Sequence, residues 1–149
     1  MAEINRQQLV VALISAGANP RLAGVDLTAL DMTRLDLNGA NLRGAKAQAA
    51  TLRESILRVA NLSYIDATVA VMIGADLDGA NCTGGNFTGA NLTSSRLTNA
   101  NLTGANLNGA NLLNANLKGA NVNGVKFDEK TTWPDGKKGA QGNPGSYTI

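Results

Sequence analysis

Every fifth residue from Leu22 to Phe127 is apolar, with no break in register across 22 positions. The series runs Leu22, Leu27, Met32, Leu37, Leu42, Ala47 and on through Leu107, Leu112, Leu117, Val122 and Phe127. In a chain that is 44% hydrophobic, a run of that length is not chance. Two places earlier in each unit is a second series, Val25 to Val125, with Ala at 13 of its 21 positions. The residue between the two is usually Asn or Asp, as in Ala40-Asn41-Leu42. Gly stands two places after the large residue at 11 of the 21 positions from Gly24 to Gly124. The unit is therefore Ala-(Asn/Asp)-Leu-X-Gly.

A period of five fits neither a helix nor a continuous strand, whose periods are about 3.6 and 2.0. Within one unit the small and large apolar residues are two apart and share a face, as extended chain requires. A turn must then follow every five residues, which Gly allows through positive φ and Asn tolerates. Extended segment and turn, repeated in one sense, describe a coil wound around its own apolar interior.

An offset of 20 residues aligns Asn41, Asn61, Asn81, Asn101 and Asn121, together with the Ala before and the apolar residue after each. The same offset alternates charge in Asp26–Lys46–Asp66, Arg34–Glu54, Arg58–Asp78 and Asp76–Arg96. Stacked coils about 4.8 Å apart would bring these residues face to face. Stacked Asn side chains are expected to hydrogen-bond along their columns, as in cross-β stacks.

The repeats over residues 22–127 resemble the pentapeptide-repeat family, whose pattern is A(N/D)LXX. That resemblance implies an all-β solenoid, a right-handed quadrilateral β-helix of about five and a half coils with four pentapeptides each. The segment Phe127-Asp128-Glu129-Lys130-Thr131-Thr132-Trp133-Pro134 is similar to the end of many cyanobacterial members.

One repeat cannot fold alone, because ordering five residues costs more than one buried Leu and one buried Ala return. Stability must come from neighbouring coils, and open ends would expose core and unpaired backbone. Residues 1–20 read as a capping unit. Asn5 with Gln8 forms a capping box, Leu9, Val10, Leu13 and Ile14 make the apolar stripe of an amphipathic helix over 5–16, and Gly17 stops it. Residues 21–128 are the β-helix and 129–149 a C-terminal cap segment. Trp133 is expected to fold over the last coil, and the chain beyond Pro134 reads as disordered.

The composition argues against enzyme chemistry. There is no His and only one Cys, which removes the commonest general base and any Cys-cluster metal site. No catalytic residue, cofactor site or metal site is assigned. Cys82 lies on the inward lattice and should be a buried hydrophobe. Asp76 and Asp78 read as members of salt-bridge ladders with Arg58 and Arg96. Five sequons, at Asn61, Asn81, Asn86, Asn91 and Asn101, follow automatically from the repeat. No apolar stretch is long enough to span a bilayer, and Leu9 to Ile14 is short for a signal sequence, so a cytoplasmic protein is expected, with export through residues 1–18 as the alternative.

One region departs from the unit. Ile56, Val59, Tyr64, Val69, Val71 and Ile73 occupy lattice positions that should face solvent, all within one coil. At Ile65-Asp66-Ala67 the large and small residues are exchanged. Either a local bulge takes some of these side chains inward, or they form an exposed apolar patch that marks an interface. The expected function is a non-catalytic scaffold that binds an unidentified protein partner, with a homodimer possible and neither nucleic acid nor membrane involved. A DNA-mimic topoisomerase protector, known within the family, needs a strongly acidic rod. Here the net charge is +2, and only Arg96 and Lys118 are charged between residues 79 and 125. An ice-binding face would need a regular Thr array, and the Thr residues are scattered.

Overall fold

A computed structural model describes residues 2–149. Parallel pairing links each unit to the one twenty residues on, from Arg21 with Asn41 through Asn106 with Lys126. Each face contributes one paired residue per coil, because a turn intervenes before a longer strand can form. Four units therefore close one coil, and the coils stack along a single axis.

The unit around Leu42 shows why the repeat has this composition. Asn41 N–H donates to Pro20 O of the coil before at 2.8 Å. Leu42 and Gly44 donate to Asn61 O and Ser63 O of the coil after, at 2.8 and 3.0 Å. Ala45 N–H closes the turn onto Leu42 O at 3.0 Å. That leaves the amide of Arg43, which donates to the Asn41 side-chain oxygen at 3.1 Å. All five amides of the unit are thus paired, as backbone at a folded surface requires. The third residue of each turn has positive φ, as at Gly44 with φ 64°, the geometry of a type II turn.

The Asn columns differ from the expectation. Their side-chain oxygens do not bond along the stack; each turns back and accepts from the amide two residues on. The turned-back bond is made at every Asn or Asp of the column from Asp26 to Asn121, while the second oxygens of Asp66 and Asp76 accept from Gln48 and Arg58 of the coil before. An amide that no neighbouring coil can reach needs a local acceptor, and an Asx side chain supplies one. Among the described residues, only Asn86 of the column's Asn side chains bonds to another coil, donating to Thr68 Oγ1 at 3.0 Å.

Both apolar series point inward. Leu27, Leu37, Leu57, Leu77 and Leu112 are wholly buried, as are Ala40, Ala60, Ala80 and Ala110 between them. The exchange at Ile65 and Ala67 leaves both buried, so total volume at that level is kept. The ladder passes through without a bulge, with Asp66 N–H on Ala45 O at 3.0 Å and Val71 N–H on Ala50 O at 2.9 Å.

At the N-terminal end, helix α1 spans Arg6–Ala16. Its capping box is made by Gln8 N–H on Asn5 Oδ1 at 2.9 Å and Asn5 N–H on Gln8 Oε1 at 2.8 Å. The helix is not amphipathic in the way the sequence suggests. Leu9 is its one fully buried residue among those described, Val10 and Leu13 are half-buried, and Ile14 is 78% exposed. Apolar residues run around the whole helix, and an 11-residue element lying across the coil end presses only a narrow stripe into the core. Three of the first coil's open carbonyls are also met, Asp26 O by Glu3 N–H at 2.9 Å and Asp31 O and Thr33 O by the Arg6 guanidinium.

At the other end the chain beyond Pro134 is ordered, contrary to the reading of its Gly, Pro and Lys content. One extra residue enters after Phe127, so Thr132 pairs with Asn111 at an offset of 21. The ladder place vacated above Gly109 is filled by the Asp128 carboxylate, which accepts Gly109 N–H at 2.8 Å. Trp133 then reaches the interior and is fully buried. Its indole N–H donates to Gly139 O at 2.7 Å. Phe127 meets it edge-on at 5.2 Å, and Tyr147 stacks on it at 5.7 Å. The Tyr147 hydroxyl donates to Asp135 at 2.9 Å, and two short 3-10 turns, Gly139–Gln141 and Pro144–Tyr147, fold between these anchors. A buried indole with a hydrogen-bonded N–H is enough to order a tail of poor intrinsic propensity.

Candidate interaction surface

The outward-facing apolar residues sit where the turns require unusual backbone. Val59, Tyr64 and Val69 are the third residues of three successive turns, with φ of 48°, 57° and 51°. Left-handed backbone is costly for any residue with a Cβ, and a β-branched side chain there is a true outlier. From Ala49 to Val69 five consecutive corners lack Gly, and no other stretch of the rod has so many in a row.

These side chains are 66%, 61% and 54% exposed in chain order. Ile56 is 39% exposed, whereas Val71 and Ile73 are half-buried. All six lie outside the core, but the fold does not gather them on one side. Val71 and Ile73 are on the face that follows the Val69 corner, and Ile56 is on the face that precedes Val59. The arrangement is a girdle around one coil.

Each corner side chain leans over a glycine of the next coil. A Cβ at Gly79 would lie 3.3 Å from Val59 Cγ1, one at Gly84 would lie 2.7 Å from Tyr64 Cε1, and one at Gly89 would lie 3.1 Å from Val69 Cγ1. The Arg43 guanidinium lies 5.8 Å from the Tyr64 ring centroid, within cation–π range.

Charged side chains border the girdle. Arg34 Nε meets Glu54 at 2.6 Å and Arg96 meets Asp76 at 3.9 Å, as the twenty-residue offset suggests. Arg58 instead takes Asp76, at 2.5 Å, and Asp78 pairs with Arg96 at 3.8 Å. The Thr98 hydroxyl, donating to Asp78, and the nearby Arg96 and Arg58 hold that carboxyl below the usual range. The Arg34 guanidinium does the same for Glu54. Both acids of the Asp76/Asp78 pair are thus engaged by side chains, and no cluster of three potential metal ligands occurs among the described residues.

The sequons have a structural origin. The hydroxyl of Ser63, Thr83, Thr88, Thr93 or Thr103 donates to the Asn oxygen two residues before it, at 2.6–2.7 Å. Cys82 is fully buried, and desolvation pushes its thiol up to about 12. What the sequence did not reveal is a second apolar surface, on the outer side of α1, where Val11 is 58% exposed beside Ile14. Adjacent Val10 and Val11 were the available sign, since one of the two must face outward. No helix among the described residues is long and apolar enough to cross a membrane.

Four turns per coil and inward Leu and Ala columns define a solenoid of five-residue units. The signature described as pentapeptide repeats is matched in 8 copies over residues 21–58, 60–93 and 95–129, and the chain belongs to that family. Among solved structures, it is similar to HetL, a pentapeptide repeat protein involved in heterocyst differentiation regulation from the cyanobacterium Nostoc sp. strain PCC 7120. The match has 27% identity and a TM-score of 0.51, covering 80% of this chain and 62% of HetL. It is also similar to QnrB1, a plasmid-mediated fluoroquinolone resistance protein, with 25% identity and a TM-score of 0.53 over 70% of this chain and 56% of that one. The chain thus spans less than two thirds of either. No curated protein matches.

Proposed function

We propose that this chain is a non-catalytic scaffold, a right-handed quadrilateral β-helix that binds another protein through the girdle at Ile56, Val59, Tyr64, Val69, Val71 and Ile73. The observation that carries the reading is the placement of Val59 and Val69 in left-handed backbone. Gly serves at most other corners and would remove the strain, so keeping β-branched side chains there opposes stability. Strain held at exposed positions is a signature of a surface kept for something other than folding. The relatives support a role in interaction only broadly, since the HetL name speaks of regulation and the QnrB1 name of drug resistance. A cytoplasmic location goes with this reading. A DNA-mimic role gains no support from a chain whose net charge is +2.

The test is the variant Val59→Asn/Val69→Asn, because Asn tolerates positive φ. Its melting temperature should stay equal to the parent's or rise. Capture of partner from native lysate, or self-association seen by light scattering, should be lost. A variant that unfolds while the parent is folded, or one that associates as the parent does, would overturn the proposal.

A further inference from the structure

The chain contains three Asn-Gly pairs, Asn38-Gly39, Asn108-Gly109 and Asn123-Gly124. In such a pair the glycine amide nitrogen can attack the asparagine side chain, provided that its N–H is not held elsewhere. Gly39 N–H donates to Arg58 O at 2.8 Å. Gly109 N–H donates to the Asp128 carboxylate at 2.8 Å. Gly124 lies in the last coil, where no further unit stands above it, and its N–H meets no acceptor among the described residues. Asn123 and Gly124 are both exposed, and the Asn123 side chain makes no hydrogen bond among the described residues. The two Asp-Gly pairs are held like the first two, with Gly79 N–H on Thr98 O at 2.8 Å and Gly136 N–H on Trp133 O at 2.9 Å.

We propose that Asn123 is a site of spontaneous deamidation, the one Asn-Gly pair that the fold leaves chemically open. The Gly124 nitrogen gives up its proton to solvent base and bonds to Asn123 Cγ. The side-chain nitrogen leaves as ammonia, and a five-membered succinimide results. Water then opens the ring at either carbonyl, leaving aspartate or isoaspartate at position 123. The net exchange is one water taken up and one ammonia released, with no redox partner. The product places a carboxylate at the C-terminal end of the rod and lowers the net charge of +2 by one. Where ring opening gives isoaspartate, a methylene enters the backbone of the last coil.

The experiment incubates the full chain at mildly alkaline pH, folded and in urea, and follows the three Asn-Gly peptides by mass spectrometry. For Asn123 the folded and unfolded rates should be similar. For Asn38 and Asn108 the folded rate should be lower by about tenfold or more, because reaction must wait for local opening. Asp128→Ala removes the acceptor of the Gly109 amide and should bring Asn108 conversion close to that of Asn123. Equal folded-state rates at all three sites would overturn the proposal. So would protection of Asn123, or an unchanged Asn108 in Asp128→Ala.

Discussion

Tyr64 occupies the space that a side chain at Gly84 would need: a Cβ there would stand 2.7 Å from Cε1 and 2.8 Å from Cδ1 of the ring. Gly84 also has a φ of 63°, so backbone and neighbour both call for glycine. Gly104, one coil further along the same corner, separates the two effects. Its φ is 66°, and nothing lies within 4 Å of a Cβ built on it. Gly104→Ala should therefore cost only the left-handed penalty, about 1 kcal/mol. Gly84→Ala should cost about 1 kcal/mol more, the displacement of an exposed ring that can partly yield. Urea unfolding of both variants, repeated in a Tyr64→Ala background, checks this. The excess at Gly84 should vanish when the ring is absent.

Arg6 does the work of a missing coil. Its guanidinium donates to Asp31 O at 2.8 Å and to Thr33 O at 2.9 Å. These are the two carbonyls that, in every later coil, accept from the large residue and the corner residue of the coil before, as Leu22 and Gly24 bond to Asn41 and Arg43. A planar fork with two nitrogens matches that spacing, and an ammonium does not. Arg6→Lys should thus lose one of the two bonds and Arg6→Ala both, lowering stability by about 1 and about 2 kcal/mol. In a stacked array the damage should stay local. Hydrogen exchange should accelerate for amides of residues 22–40 and remain unchanged beyond residue 60.

The columns of the rod could be read from the sequence because each residue has one structural neighbour at a fixed offset. Leu37, Leu57 and Leu77 are buried where a period of five places them. What spacing does not contain is the direction a polar side chain takes. Asn41 could have bonded along its column or back onto Arg43, and the unpaired Arg43 amide decides the matter. Arg58 could have met Asp76 or Asp78, and only side-chain geometry selects Asp76. Trp133 fell outside the lattice because one extra residue after Phe127 breaks the register, and the tail that Trp133 anchors was hidden with it. The girdle was legible as six outward positions. Its wrapping around all sides followed only once faces and corners were assigned.

Two units of the girdle lack the local acceptor that most units of the rod have. Ile56 and Val71 stand where Asn or Asp usually does, and the amides they would serve, those of Arg58 and Ile73, find no acceptor among the described residues. Restoring the repeat should stabilise the rod. Ile56→Asn and Val71→Asn are each expected to raise unfolding free energy by about 0.5–1 kcal/mol, the net value of one partly exposed hydrogen bond. Thermal melts and denaturant midpoints would show it. A lower melting temperature in both would mean that the apolar side chains hold the coil more firmly than the Asx bond does.

Cys82 gives the rod a defined response to alkali. Burial raises its thiol from an ordinary value of 9.0 to about 12 in the folded state. The unfolded chain therefore releases this proton first as pH rises. The contribution is fully present below about 9 and is lost progressively as pH climbs towards about 12. Melting temperature should decline across that window, and Cys82→Ala should flatten the decline while lowering stability at neutral pH through the small cavity it leaves. Reactivity should follow the same asymmetry, since the thiolate is the nucleophile. Iodoacetamide at pH about 8.5, near the free-thiol value, should leave the folded chain unmodified and label it fully in urea. Labelling of the folded chain at a rate near that of the unfolded one would show that the coil stack opens at Cys82 far more readily than its packing indicates.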